Sequence, residues 1–102
     1  MKHKTFRSAQ LLSLARGQEC VMCGANDDTI VSAHSNLMEH GKGMGMKAHD
    51  GMVSWLCHHC HSNLDQGRGS SKEDKRTYIL TAICRTYMKM WDLNLLKVRK
   101  PK

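Results

Sequence analysis

Nine consecutive residues, Cys57-His58-His59-Cys60-His61-Ser62-Asn63-Leu64-Asp65, carry two thiols, three imidazoles and a carboxylate. Groups of these types are metal ligands, and two patterns overlap in the stretch. Cys57 and Cys60 form a C-x-x-C knuckle, and 33 residues separate it from a second one upstream, Cys20-Val21-Met22-Cys23. The two pairs supply the four thiolates of a tetrahedral zinc site, which leaves no open position and is therefore structural. His61 and Asp65 follow a different rule. Their i, i+4 spacing puts them on one face of a helix, where they can hold a second divalent ion. A hard ion such as Mg²⁺ suits the carboxylate, and the imidazole also accepts Mn²⁺ or Ni²⁺.

With the cysteines committed to zinc, reaction chemistry falls to His34 and to His49-Asp50. An imidazole with an ordinary pKa of about 6.5 takes a proton from water at neutral pH. A divalent ion beside it neutralises charge as a P–O bond breaks. His34 and the ion on His61 and Asp65 are thus the candidate parts of a one-metal hydrolytic site. His58, three residues before His61, is the other knuckle histidine able to join a metal. His58 and His59 otherwise read as surface or phosphate-contacting groups, and His40 and His49 as loop residues without a role. The irregular spacing of Met38, Met44, Met46 and Met52 favours loop packing over soft-metal binding.

The elements that must position these groups follow from pattern. Ser8 caps a short helix over 8–16 with an apolar stripe of Leu11, Leu12 and Ala15, and Gly17 ends it. Thr29 to His34 is rich in β-branched residues and predicts a strand ending on the candidate base. Residues 35–51 show no periodicity and contain Gly41-Lys42-Gly43-Met44-Gly45, which predicts a mobile loop. Met52 to Leu56 predicts a second strand, and a helix begins at the second knuckle, giving a β-β-α unit. Gly67-Arg68-Gly69 ends that helix. Ser70 with Glu73, or Ser71 with Asp74, is a capping box for a long helix over 71–98. Its apolar stripe is read as Ile79, Leu80, Ile83, Cys84, Tyr87, Met88, Trp91 and Leu95. Cys84 is then a buried structural thiol, and Trp55 and Trp91 are core residues.

Size and charge set the frame. The 102 residues make one domain with a thin core, of the kind that needs a staple. Mean hydropathy is −0.53 and no run approaches the roughly 20 apolar residues of a membrane span. Without a signal-type apolar segment the expected compartment is the cytoplasm, where C-x-x-C pairs favour zinc over disulfides. Sixteen Lys and Arg against nine Asp and Glu give a net charge of +7. A domain this basic suits a polyanion, most simply nucleic acid. Lys42 and Lys47 in the loop, Arg68, and Lys97, Arg99 and Lys100 near the C-terminus are the candidate phosphate contacts.

The order of these motifs resembles the HNH (ββα-metal, treble-clef) endonucleases: C-x-x-C, Ala33-His34, a glycine-rich loop, Asp50, then Cys57-x-x-Cys60-His61-x-x-x-Asp65. More closely it is similar to small prophage nucleases of the YbcO type, which share the segment Leu14-Ala15-Arg16-Gly17-Gln18-Glu19-Cys20 and an Asp seven residues before the third cysteine. The likeness covers roughly residues 8–66. It implies an α+β fold, a zinc-stapled ββα core flanked by a short N-terminal helix and a long C-terminal one. It also implies a phage- or prophage-encoded enzyme that cuts DNA in a bacterial cell. By position, His34 becomes the general base and His61 a metal ligand, with Asp65 as second ligand. Asp50 takes the middle place, usually Asn, that orients the base or braces the loop. Ala33 departs from the pattern, because many relatives place an Asp or His ligand there. Two other readings stay open: a non-catalytic treble-clef module that binds nucleic acid, and an adaptor that displays the long helix.

Overall fold

A computed structural model of the chain describes residues 5–43, 45–66 and 71–99. In order come helix α1 (Ala9–Ser13), strand β1 (Val31–His34), a single 3-10 turn (Met38–His40), strand β2 (Val53–Leu56), helix α2 (His58–Gln66) and helix α3 (Lys72–Asp92). The α+β class and the β-β-α unit stand as the sequence predicts. Arg68, Lys100, the Gly67–Gly69 stop, Ser70 and Met44 lie outside the described residues.

The Ser8 hydroxyl caps α1 by accepting from Leu11 N–H at 3.1 Å. The helix stops three residues short of the predicted Arg16, in a turn closed by Gln18 N–H on Ala15 C=O with Gly17 at φ +77°. Five residues make no stable helix alone. Contacts hold this one: Ser32 Oγ donates to Leu12 C=O at 2.8 Å, and Leu11, Leu14 and Ala15 pack on the core.

β1 and β2 are antiparallel, with Val31 opposite Leu56 and His34 opposite Val53. That register leaves His34 at the end of the sheet remote from Cys57. All four β2 residues are buried, between β1 on one side and α3 on the other. Trp55 N–H points away from β1 and donates to Thr86 Oγ1 of α3 at 3.0 Å, while Thr86 donates to Ala82 C=O. A single hydroxyl thus ties the sheet to the long helix.

The predicted mobile loop is better fixed than its glycines suggest. It contains the 3-10 turn and a Gly43–Met46 bridge. Both guanidinium nitrogens of Arg76 in α3 reach the Glu39 carboxylate, and His49 N–H donates to His40 C=O at 2.9 Å. Paired bonds of this kind fix a segment that has no apolar periodicity to announce it.

α3 opens with the Ser71–Asp74 capping box and ends at Asp92, six residues before the predicted boundary at 98. Asn94 takes the left-handed φ of 59°, and Leu95 N–H returns to Met90 C=O at 2.9 Å. This turn brings Leu95 and Leu96 back onto the core, which the continuing helix would not do. The buried face also differs from the predicted stripe. It is Ile79, Ala82, Thr86 and Met90, whereas Cys84, Tyr87 and Met88 are exposed. Cys84 is therefore not a core thiol, and Trp91 sits at the surface against Tyr87, with ring centroids 6.0 Å apart. A polar residue at the centre of the true face masked it. Trp55 is fully buried as expected. Among the described residues no helix is long and apolar enough to cross a membrane.

Replacing Thr86 by Val strands a buried Trp55 N–H, an omission that costs about 1–3 kcal/mol. We expect urea unfolding to register that loss for Thr86→Val and a smaller one for Thr86→Ser, which keeps the acceptor.

Candidate metal cluster and histidine–carboxylate site

The two knuckles meet. The sulfurs of Cys20, Cys23, Cys57 and Cys60 all lie within 4.8 Å of one another. Tight turns achieve this. Gly24, at φ +80°, lets its N–H close on Cys20 C=O at 2.9 Å, while Val21 N–H donates to Trp55 C=O at 3.0 Å and binds the first knuckle to β2. On the second knuckle, Cys57 Sγ accepts from Cys60 N–H at 3.4 Å and so stands at the start of α2. Three of the four cysteines belong to the hydrophobic core: Cys20, Cys57 and Cys60.

All four cysteines are free thiols, and Cys23 and Cys57 sulfurs are 3.6 Å apart, beyond bonding distance. Four thiolates at about 2.3 Å from a tetrahedral zinc would be separated by about 3.8 Å. The spacing fits a metal ion such as zinc. The electrostatics agree. Burial pushes the Cys60 thiol up to about 12, despite the opposing Tyr78 hydroxyl. Burial also acts against Cys20, but backbone N–H groups of Cys23, Cys57 and Met22 outweigh it and bring that thiol down to about 6. The cluster thus holds Cys20 and Cys60 in opposite directions, and a bound cation would favour the thiolate at every position.

His34 and Asp50 form the second centre. His34 Nε2 is 2.7 Å from Asp50 Oδ1. Asp50 is 3% exposed and is held by two further groups. Arg7 donates to Oδ1 at 3.0 Å, and the Ser8 backbone N–H donates to Oδ2 at 2.7 Å. Burial pushes the Asp50 carboxyl up, yet the hydrogen bonds from His34, Ser8 and Arg7 prevail and hold it below the usual carboxylate range. An ionised carboxylate only accepts, so His34 Nε2 carries the proton of this bond, and in the neutral tautomer that makes it the Nδ1 lone pair faces away from Asp50. The His34 side chain is 18% exposed, enough for a water molecule to reach it.

His61 Nε2 and Asp65 Oδ2 of α2 are 3.5 Å apart on the exposed face that their spacing predicts. Among the described residues no third His, Cys, Asp or Glu joins them. Ala33 is buried opposite Ser54 and offers no ligand. Asp50 is fully engaged with Arg7, Ser8 and His34, and His49 accepts from Gly51 N–H while stacking on Phe6 at 4.8 Å. His59 pairs with Asn63, and His40 with Ser35 Oγ at 2.6 Å. Lys42, Lys47, Lys97 and Arg99 are exposed. Sequence reasoning missed Arg7 and Ser8 as partners of Asp50. They stand more than 40 residues away, and no spacing rule connects them.

A small α+β protein with a four-cysteine cluster able to hold a metal such as zinc, and a separate histidine–carboxylate pair, is what fold and site define. The model of the family described as "Putative nuclease YbcO" matches residues 9–94, and the chain belongs to that family. Membership implies a nucleic acid substrate. No curated protein and no solved structure matches the chain.

In zinc-loaded protein we expect one of the five thiols, the exposed Cys84, to react promptly with a disulfide reagent. A strong chelator should release the other four and lower the melting temperature. Prompt reaction of all five before chelation would count against a bound metal.

Proposed function

We propose that the chain is a metal-dependent HNH-type endonuclease of phage or prophage origin that hydrolyses DNA phosphodiester bonds in the bacterial cytoplasm. The observation that carries the reading is the His34–Asp50 pair. A carboxylate held from three sides fixes the imidazole with Nδ1 free, which is the arrangement a general base needs. His34 Nδ1 takes a proton from water, the resulting hydroxide attacks phosphorus in line, and the 3′-oxygen departs. Asp50 stabilises the imidazolium that forms, as the acceptor of Nε2–H. His61 and Asp65 are the candidate ligands for Mg²⁺, Mn²⁺ or Ni²⁺, which when bound neutralises charge on the phosphate. The cysteines hold a structural zinc. Lys42, Lys47, Lys97 and Arg99, with Arg68 and Lys100, supply phosphate contacts, so binding is tolerant of sequence and weakens with salt.

One observation favours a second reading. His61 and Asp65 gather no third ligand among the described residues, as a nucleic-acid-binding module without catalysis would also show. Cleavage decides between them. Wild-type protein with supercoiled or linear DNA and each of the three ions should cut. His34→Ala should lose about 100-fold or more in rate. His61→Ala should need higher metal concentrations. If wild type binds DNA but never cuts, or His34→Ala cuts equally well, the binding module is the better account.

A further inference from the structure

We infer that Arg7, on the segment ahead of α1, is a positioning residue for the His34–Asp50 pair: its guanidinium shares Asp50 Oδ1 with His34 Nε2 and so sets how strongly the carboxylate holds a proton on the ring. The inference rests on His34 acting as base, and it assigns a role to a residue outside the family match of 9–94.

Arg7 spends its hydrogen bonds on one stretch of chain. One terminal nitrogen donates to Asp50 Oδ1 at 3.0 Å and to Ala48 C=O, and the other donates to Lys47 C=O at 2.8 Å. Its neighbours complete a clamp. Ser8 N–H holds the second carboxylate oxygen at 2.7 Å, Asp50 N–H donates to Phe6 C=O at 3.1 Å, and the Phe6 ring stacks on His49. Residues 6–8 therefore fix the loop end that carries Asp50. Three of the five guanidinium N–H groups thus go to two carbonyls and a carboxylate, and the side chain is partly exposed.

The shared oxygen has a consequence. Asp50 alone would favour the imidazolium form of His34, because an adjacent negative charge stabilises the cation. Arg7 offsets that charge and competes for the same lone pairs, which weakens the hold of the carboxylate on a ring proton. Among the described residues, the other histidines and the glutamate of the same loop have partners of their own. His40 bonds Ser35, Glu39 pairs with Arg76, His49 faces Phe6, and Val53 opposite His34 on β2 is apolar. Among the described residues Arg7 and His34 are the ion-pair partners of Asp50.

The test follows the His34 ring by ¹⁵N NMR in the zinc-loaded 102-residue chain, together with the pH profile of DNA cleavage. In wild type the neutral ring should show the Nε2-protonated pattern. Arg7→Gln should hold the ring proton to a pH higher by on the order of one unit. The acid limb of kcat/KM should move the same way, with activity recovered at high pH. Arg7→Lys should shift both by less, and it serves the comparison if the Gln variant does not fold. In an Asp50→Asn background the Arg7 substitution should move neither. An unchanged ring titration, an activity loss equal at every pH, or a change confined to KM and salt dependence would overturn the assignment. Because the titration needs no substrate, a wild type that shows the predicted shift yet never cuts DNA overturns the nuclease reading alone.

Discussion

Four sulfurs within 4.8 Å of one another join the loop after α1, the end of β2 and the start of α2. The remaining fold depends on that junction, because little else could hold these pieces. The sheet has two strands, α1 has five residues, and the buried cluster counts three of the cysteines among its members. Apolar burial scales poorly in a chain this size, so a four-cysteine cluster able to hold a metal ion such as zinc can stand in for core volume. The knuckles also serve geometry. Val21 N–H on Trp55 C=O and Trp55 N–H on Thr86 Oγ1 run in series from the first knuckle through β2 to α3. The cluster, the strand and the long helix are thereby set as one frame.

On that frame the Asp50 carboxylate is the second organising group. Burying an anion is costly unless donors surround it, and here they come from three places in the chain: Arg7, Ser8 and His34. The arrangement closes the 35–51 loop onto the N-terminal segment and at the same time fixes one tautomer of His34. A stabilising contact and a proposed catalytic one are the same hydrogen bond. The His61–Asp65 pair differs, being more exposed, 3.5 Å apart and without a third His, Cys, Asp or Glu ligand among the described residues. A proposed metal there depends on the phosphate and water to complete its shell, which fits a loosely held ion.

Local chemistry was legible in the sequence wherever partners are close or follow a rule. The knuckle spacing, the Ser8 and Ser71 caps, the i, i+4 pair and the β-β-α order all emerge as read. Failures cluster where a polar group performs a packing task or a partner is remote. Thr86 occupies the centre of the buried face of α3, so counting apolar residues rotated that face toward Cys84, Tyr87 and Met88. The end of α3 moved because Asn94 adopts a left-handed turn that returns Leu95 and Leu96 to the core. The 35–51 loop looked mobile because its anchors, Glu39 to Arg76 and Asp50 to Arg7, join residues 37 and 43 positions apart. The role of Asp50 came through a resemblance to a family, whereas its clamp could be seen only in three dimensions.

The central proposal is that His34 Nδ1 takes the proton of the attacking water while His61 and Asp65 would hold the divalent ion that neutralises charge on the phosphate. A crystal structure with Mn²⁺ and a DNA strand bearing a cleavage-resistant phosphorothioate tests it most directly, using anomalous scattering at the zinc and manganese edges. The account predicts zinc among the four sulfurs and manganese on His61 and Asp65. It also predicts a water within hydrogen-bond reach of His34 Nδ1, in line with the leaving 3′-oxygen. Manganese absent from that pair, or DNA lying on a face that leaves His34 facing only solvent, would contradict it.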